Sequence, residues 1–209
     1  MDDVAWRKAL TEKYDLTEEQ GLKLQTYVEL LRKWQKKINL VSNTTIKHAW
    51  ERHIEDSLQL VPIIKENAGD KRLKMMDMGC GAGFPGLVLA VLDIADISLV
   101  ESDMRKCLFM KEVARQTETT VDVVNKRIEK AELSDMDLVS ARALAALDML
   151  CDYAYPFLND EGKCLFLKGE KADQEVSEAR KKWQFDVKTY PSVTSDVAQI
   201  LLLSNLKPC

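Results

Sequence analysis

The stretch Lys74-Met-Met-Asp-Met-Gly-Cys-Gly-Ala-Gly-Phe-Pro-Gly-Leu-Val-Leu-Ala90 decides how the chain is read. A short apolar run ends in Asp77, glycines follow at Gly79, Gly81, Gly83 and Gly86, and a second apolar run opens at Pro85. This is the pattern of strand, tight turn and helix. Glycines in such a turn accept positive φ and let a ligand approach bare backbone. The free N–H groups that open the next helix face the same ligand. The letters alone leave that ligand open, because Gly81, Gly83 and Gly86 also spell the dinucleotide fingerprint G-x-G-x-x-G.

Working outward, the chain alternates strand and helix from Leu73 onward. Strands are predicted at 73–78, 96–101, 120–124, 136–140, 162–167, 184–189 and 197–203, and helices at 85–92, 103–116, 145–154 and 171–182. Such alternation implies a mainly parallel sheet covered by helices. Ligands of open sheets bind at the C-terminal ends of the strands, and Asp77, Glu101, Arg142 and Lys168 all fall at or just after such ends. Upstream, residues 3–14 read as a short helix. Thr17 and Gln20 form a capping box for a second helix, which runs to about Lys37 with Leu24, Val28, Leu31, Trp34 and Ile38 on one apolar stripe. A third helix is predicted over Ile46–Leu60, with Pro62 near its end. The linker Asn67-Ala-Gly-Asp70 then divides a helical N-terminal extension, residues 1–70, from an α/β domain, residues 71–209.

The choice of cofactor turns on Asp77. A dinucleotide rests its pyrophosphate on the helix N-terminus, where a carboxylate at the strand end repels it. S-adenosyl-L-methionine has no phosphate; its sulfonium and α-ammonium favour a nearby carboxylate. Asp77-x-Gly79-x-Gly81-x-Gly83 therefore suits that cofactor better. Glu101, 22 residues beyond Gly79, can accept both ribose hydroxyls, but NAD folds place an acid there too, so it does not discriminate. The loop Asn125–Glu129 follows the third strand, where it flanks an adenine, with the backbone of Ile128 and Glu129 in reach of the base edge. Arg142 can fork onto a carboxylate or phosphate. The plainer alternatives are a helix cap for Asp77, a solvent-facing acid for Glu101 and a surface ion pair for Arg142.

Composition bounds the rest. The 209 residues are 46% hydrophobic and 31% charged, as in a soluble globular protein. No apolar run approaches membrane-spanning length, and the start Met-Asp-Asp-Val-Ala-Trp-Arg lacks a signal-type core. Five scattered cysteines without a C-x-x-C pair point to reduced thiols and a cytoplasmic protein, without a disulfide framework or metal site. The net charge is −4, yet Arg32 to His53 holds six Lys/Arg against one acid, Glu51. A basic window on an acidic body is what a confined polyanion site needs, although a solvated helix face reads the same way.

These pieces together resemble the bacterial RsmG (GidB) family of small-subunit rRNA guanine-N7 methyltransferases. The matching segments are Trp34…Lys37-Ile-Asn-Leu-Val-Ser42, Arg52-His-Ile-Glu-Asp-Ser-Leu58, Asp77-Met-Gly-Cys-Gly-Ala-Gly-Phe-Pro-Gly86, Val100-Glu-Ser102, Arg127-Ile-Glu129, Ser140-Ala-Arg-Ala143 and Leu167-Lys-Gly169. The resemblance implies an α/β, Rossmann-like class I methyltransferase fold with a mainly parallel seven-stranded sheet. It implies S-adenosyl-L-methionine as donor and N7 of a 16S rRNA guanine as acceptor. By motif, cofactor contacts fall on Gly79, Phe84, Ile128, Glu129 and Arg142, with Glu101 at the ribose; Asp77, Gly81 and Gly83 complete the expected set. The chain departs from the family at Cys80, where a small hydroxyl residue is common, and at Gln35, where Asn is usual. Thr194–Gln199 also lacks the basic residue expected before the last strand.

Guanine N7 has a lone pair and no proton to lose, so the displacement itself requires no general base and catalysis is positioning. The product base is cationic, which makes Asp56 a candidate. N7 and O6 are acceptors, so a donor among Arg52, His53, Arg142 and Lys168 is expected to orient the base, with stacking on Phe84 or flipping of the nucleotide as further means. The catalytic candidates are thus His53, Asp56 and Lys168. Arg32, Lys33, Lys36, Lys37 and Arg52 are assigned to RNA phosphates, and Trp34 to the core. The expected partner is 16S rRNA or the small ribosomal subunit, met by a monomer. The competing readings are a methyltransferase for another substrate, a dinucleotide-binding oxidoreductase, and a cofactor sensor without catalysis.

Overall fold

The computed structural model describes residues 2–209. Helices α1 (Asp3–Lys13) and α2 (Glu18–Gln35) pack together at the N-terminus. A winding segment follows: a 3-10 turn (Ile46–His48), a π-helical stretch (Trp50–Glu55) running into α3 (Asp56–Leu58), and α4 (Val61–Ala68). Then come β1 (Lys74–Met78), α5 (Gly86–Val91), β2 (Asp96–Val100), α6 (Met104–Gln116) and β3 (Asp122–Val124). A 3-10 turn (Ile128–Lys130) leads to β4 (Met136–Arg142), α7 (Leu147–Ala154), β5 (Leu158–Lys168), α8 (Ala172–Ala179), β6 (Trp183–Pro191) and β7 (Gln199–Pro208).

The seven strands form one sheet in the order β3-β2-β1-β4-β5-β7-β6. Strands β1 to β5 pair in parallel, and β7 runs antiparallel to both β5 and β6. The order reverses between β1 and β4, which makes that gap the switch point where such sheets bind ligands. Alternate residues of each strand face two separate cores. Met75, Leu99, Leu138, Leu165 and Ile200 meet the N-terminal helices, α5 and α6. Met76, Val100, Val139, Phe166 and Leu201 meet α7 and α8.

Helix α2 forms as its sequence dictates. Thr17 Oγ1 accepts the Gln20 N–H at 3.1 Å, and Gln20 Oε1 accepts the Thr17 N–H at 2.9 Å. Leu24, Val28 and Leu31 are buried, each contributing about 2 kcal/mol. Trp34 packs on Phe109, their rings 5.7 Å apart. Leu10, Leu24, Leu31, Trp50 and Ile54 share one continuous core with α5, α6 and the sheet. The boundary near residue 70 is thus a change of rhythm and not of core.

Two expectations need correction. The third helix does not run unbroken over Ile46–Leu60: it is a 3-10 turn, a π stretch and a short α turn, and Pro62 lies in the first turn of α4. Proline lacks the N–H that a first turn leaves unused, so it starts a helix more readily than it ends one. Strand β5 begins at Leu158, four residues ahead of Gly162. A Cβ on Gly162 would lie 2.8 Å from the Met136 carbonyl oxygen, so this glycine serves a close approach at a register shift inside the strand.

Candidate active site

A cleft of about 750 Å³ opens at the C-terminal ends of β1, β4 and β5. Gly79 and Gly81, with φ of 58° and 59°, line it; a Cβ on Gly79 would lie 2.6 Å from Leu144 Cδ1, whereas Gly81 presents bare backbone. A Cβ on Gly81 would meet no atom within 4 Å, so the space beside it is free for a ligand. Gly86 has the opposite reason to be glycine: a Cβ there would lie 2.5 Å from Leu99 Cδ2 and 2.7 Å from Asp77 Cβ. Gly83 faces Leu87 and Tyr27, away from the cleft.

Asp77 is placed differently from the direct contact expected of it. It is 0% exposed, its Oδ2 accepts the Gly86 N–H at 2.8 Å, and its Oδ1 accepts the Ser140 hydroxyl at 2.7 Å. Ser140 is its register partner on β4, so adjacent strands supply both halves of that bond. Burial raises the carboxyl pKa to about 6 against the pull of both hydrogen bonds and of Arg142. The side chain thus lies behind the turn and occupies the first amide of α5. A pyrophosphate would need that amide, so the case against a dinucleotide holds on a new ground.

Glu101 clasps two turns together. Its Oε2 accepts the Gly81 N–H at 3.0 Å and its Oε1 the Asp103 N–H at 2.8 Å. A carboxylate has about four acceptor positions, so both oxygens keep capacity for ribose hydroxyls. Ile128 and Glu129 lie outside the main cleft, and Glu129 borders a separate depression with Asn125 and Arg127. Asn125 Nδ2 ties their loop to β2 by donating to the carbonyls of Glu101 and Ser102, at 3.0 and 3.1 Å.

The opposite wall is organised by Arg142. Its Nη1 donates to Asp56 Oδ2 and to the Arg52 carbonyl, both at 2.9 Å, and its Nη2 donates to His53 Nδ1 at 3.0 Å. Since the guanidinium can only donate, the imidazole proton sits on Nε2 and is given to Thr45 Oγ1 at 3.0 Å. Burial, then Arg142 and Arg52, lowers the His53 pKa to about 3. His53 is neutral with both ring nitrogens bonded, so it has no spare N–H with which to orient a base, which corrects the role expected of it. Asp56 is equally committed: its Oδ1 accepts Thr194 Oγ1 at 2.6 Å and Gln59 Nε2 at 2.9 Å. It is not a free carboxylate for a cationic product. Arg52 donates to the Thr194 carbonyl at 2.9 Å and borders the cleft.

Phe84 offers no face for a base. It is 3% exposed and stacks on Tyr27 and on His53, with centroids 5.2 and 4.9 Å away, while the Arg142 guanidinium lies 5.1 Å from its ring. Lys168 borders the cleft, donating to the Ala145 carbonyl at 2.7 Å and pairing with Glu175 at 2.6 Å. Arg32, expected at phosphates, is instead forked onto Asp3, whose Oδ1 also accepts Trp50 Nε1–H at 3.0 Å. Lys33, Lys36 and Lys37 stand exposed at the end of α2.

The residues that sequence reasoning missed are Ser140, Tyr27, Gln59, Thr194 and Glu175. Ser140 sat in a motif already singled out, but its place opposite Asp77 follows only from the strand register. Tyr27, whose hydroxyl donates to the Ala82 carbonyl, lay beside the apolar stripe. Gln59 meets Val193 and Thr194 meets Asp56, each across more than 130 residues, and neither carries a local signal. Among the described residues no group of three or more His, Cys, Asp or Glu could hold a metal ion, and no helix is long and apolar enough to cross a membrane.

The family model described as GidB, rRNA small subunit methyltransferase G, matches residues 20–201. The chain belongs to this family. It is 50% identical over 181 residues to ribosomal RNA small subunit methyltransferase G of Paramagnetospirillum magneticum, covering 87% of this chain and 86% of that protein. The Gluconobacter oxydans protein of the same name is 43% identical, over 88% and 93%. Among solved structures, magnesium protoporphyrin IX methyltransferase from Synechocystis PCC 6803, with bound SAM, matches with a TM-score of 0.60 at 11% identity, over 85% of this chain and 96% of that one. The ribosomal protein L11 methylase from Lactobacillus delbrueckii subsp. bulgaricus gives 0.56 at 20%, over 71% and 77%. The fold of the family member described here is therefore the Rossmann-like α/β fold of class I methyltransferases.

Proposed function

We propose that the chain transfers the methyl group of S-adenosyl-L-methionine to N7 of a guanine in the 16S rRNA of the small ribosomal subunit. The observation that carries the reading is the bare Gly81 backbone, with free space beside it, facing an open cleft in a chain of this family. The site fits the cofactor. The turn leaves room beside Gly81, Glu101 keeps lone pairs for ribose hydroxyls, and the α5 amide that a phosphate would seek is taken by Asp77. Ile128 and Glu129, in the 3-10 turn after β3, would hold the adenine. Once bound, S-adenosyl-L-methionine supplies a methyl carbon activated by a sulfonium.

The chain supplies position. Guanine N7 needs no base, which agrees with a neutral His53 and an ion-paired Asp56. Arg142, held by Asp56 and His53 and lying against Phe84, forms a rigid cationic wall beside the transfer point. Lys168 has three N–H groups and spends two on Ala145 and Glu175, leaving one for the base. Exposed Lys33, Lys36 and Lys37, with Arg52 at the rim, hold RNA phosphates. The protein acts as a monomer in the cytoplasm, where its substrate lies. The test is transfer of labelled methyl to 16S rRNA, offered both deproteinised and as small-subunit particles. Label in the RNA of at least one is expected, and none in either overturns the reading.

A further inference from the structure

The wall of the cleft at β5 and β7 holds a polar group that the fold leaves unpaired. Gln199 opens β7 and is the register partner of Lys168 at the end of β5, so both side chains leave the same face of the sheet. Gln199 borders the cleft, yet its Oε1 is buried without a hydrogen-bond partner. A buried acceptor left unpaired calls for an explanation. Its neighbour Lys168 is fixed by Ala145 and Glu175 with one N–H to spare. A single free donor therefore stands beside a single unsatisfied acceptor.

The strand order gives this pair a direction. The glycine turn follows β1, whereas Lys168 and Gln199 lie two and three strands away on β5 and β7. In guanine O6 lies beside N7 and N1–H adjoins O6 on the next edge, so a base with N7 at the glycine turn and its ring laid along the strand ends turns O6 and then N1–H toward β5 and β7. We propose that Gln199 reads the guanine: its carboxamide oxygen accepts the N1–H while the spare N–H of Lys168 donates to O6. This rests on the proposed function above. The terminal torsion of glutamine is soft, and Oε1 has no bond to break, so the amide turns into the cleft freely. Adenine presents the opposite polarity, an amino donor and an N1 acceptor. The amide can turn over to suit N1, but an ammonium has only donors and meets the adenine amino group with a donor. Gln199 and Lys168 together thus select guanine.

The test compares Gln199→Met, which keeps length and removes the acceptor, with Gln199→Glu, which keeps an acceptor at the same reach. kcat/KM for methyl transfer to small-subunit particles, the Kd for S-adenosylhomocysteine and the thermal midpoint are measured for each. Gln199→Met is expected to lower kcat/KM by about 10- to 100-fold, the usual worth of a base-reading contact, with cofactor affinity and midpoint unchanged. Gln199→Glu is expected to stay within about fivefold of wild type, the lost contact being restored. Full activity in Gln199→Met, or equal losses in both variants, overturns the inference while leaving the proposed function standing. Wild-type protein that labels no 16S rRNA overturns both.

Discussion

His53 shows how a residue can be essential to a site without titrating in it. The unfolded chain protonates this imidazole below its ordinary value of 6.5, while the folded chain does so only near pH 3. The folded pKa is depressed, so the stability tied to His53 is complete above pH 6.5 and lost as the pH falls toward 3. The loss reaches on the order of 5 kcal/mol at the acid end. Asp77 works in the opposite sense: its pKa rises from 3.8 to about 6, so stability falls as the pH rises through that window. The two oppose each other between pH 4 and 6, which makes a difference measurement the clean one. Relative to wild type, His53→Gln is expected to gain about 1.4 kcal/mol per pH unit below 6.5 in denaturant unfolding; parallel curves for the two proteins contradict it. At this scale the sequence marked the right residues and misjudged their partners. Asp77 was legible as decisive because it precedes the glycines. Its burial was not, because that depends on Ser140, which lies 63 residues away.

At the scale of elements, the π-helical stretch Trp50–Glu55 matters most. A π turn widens the helix locally and recurs at functional sites. Here it aims the Arg52 carbonyl and His53 at Arg142, and Asp56 follows at its end. Periodicity could not reveal it, since Ile54, Leu58 and Val61 keep a plausible helical spacing across the break. The same segment holds the β6–β7 loop through Gln59, which accepts the Val193 N–H at 2.8 Å, and through the Asp56–Thr194 bond at 2.6 Å. The loop is held by the Thr194 hydroxyl and by backbone groups of Val193 and Thr194. Thr194→Val is expected to weaken the loop by about 1 kcal/mol. Faster hydrogen exchange at the Val193 amide, with the β4 amides unchanged, checks this. Unaltered exchange at Val193 means that the loop is held by other contacts.

For the whole molecule, the alternating rhythm from Leu73 was enough to predict a parallel sheet and the strand ends at which the cleft forms. It could not predict the register of the antiparallel β6–β7 hairpin, which is set by contacts between strands. Nor could it show that the N-terminal helices share the core of the sheet, since Tyr27 and Phe109 meet only in three dimensions. Charge divides across the molecule in a testable way. Lys33 is exposed on α2 and Lys36 just past its end, whereas the proposed cofactor cradle lies in the turns after β1 and β2. Lys33→Glu with Lys36→Glu is expected to weaken rRNA binding by about tenfold or more and to lower the salt slope by about 2. Affinity for S-adenosylhomocysteine stays unchanged, and equal losses of both ligands contradict a two-site layout.

The central claim is methylation at N7 of a 16S guanine by donor held over the Gly79–Gly81 turn. It is tested most directly by transferring labelled methyl from S-adenosyl-L-methionine to unmodified small-subunit rRNA, then treating the RNA with borohydride and aniline. The account predicts strand scission at one guanine, in proportion to the label incorporated. Label that enters the RNA without creating an aniline-sensitive site places the methyl on another atom and contradicts it.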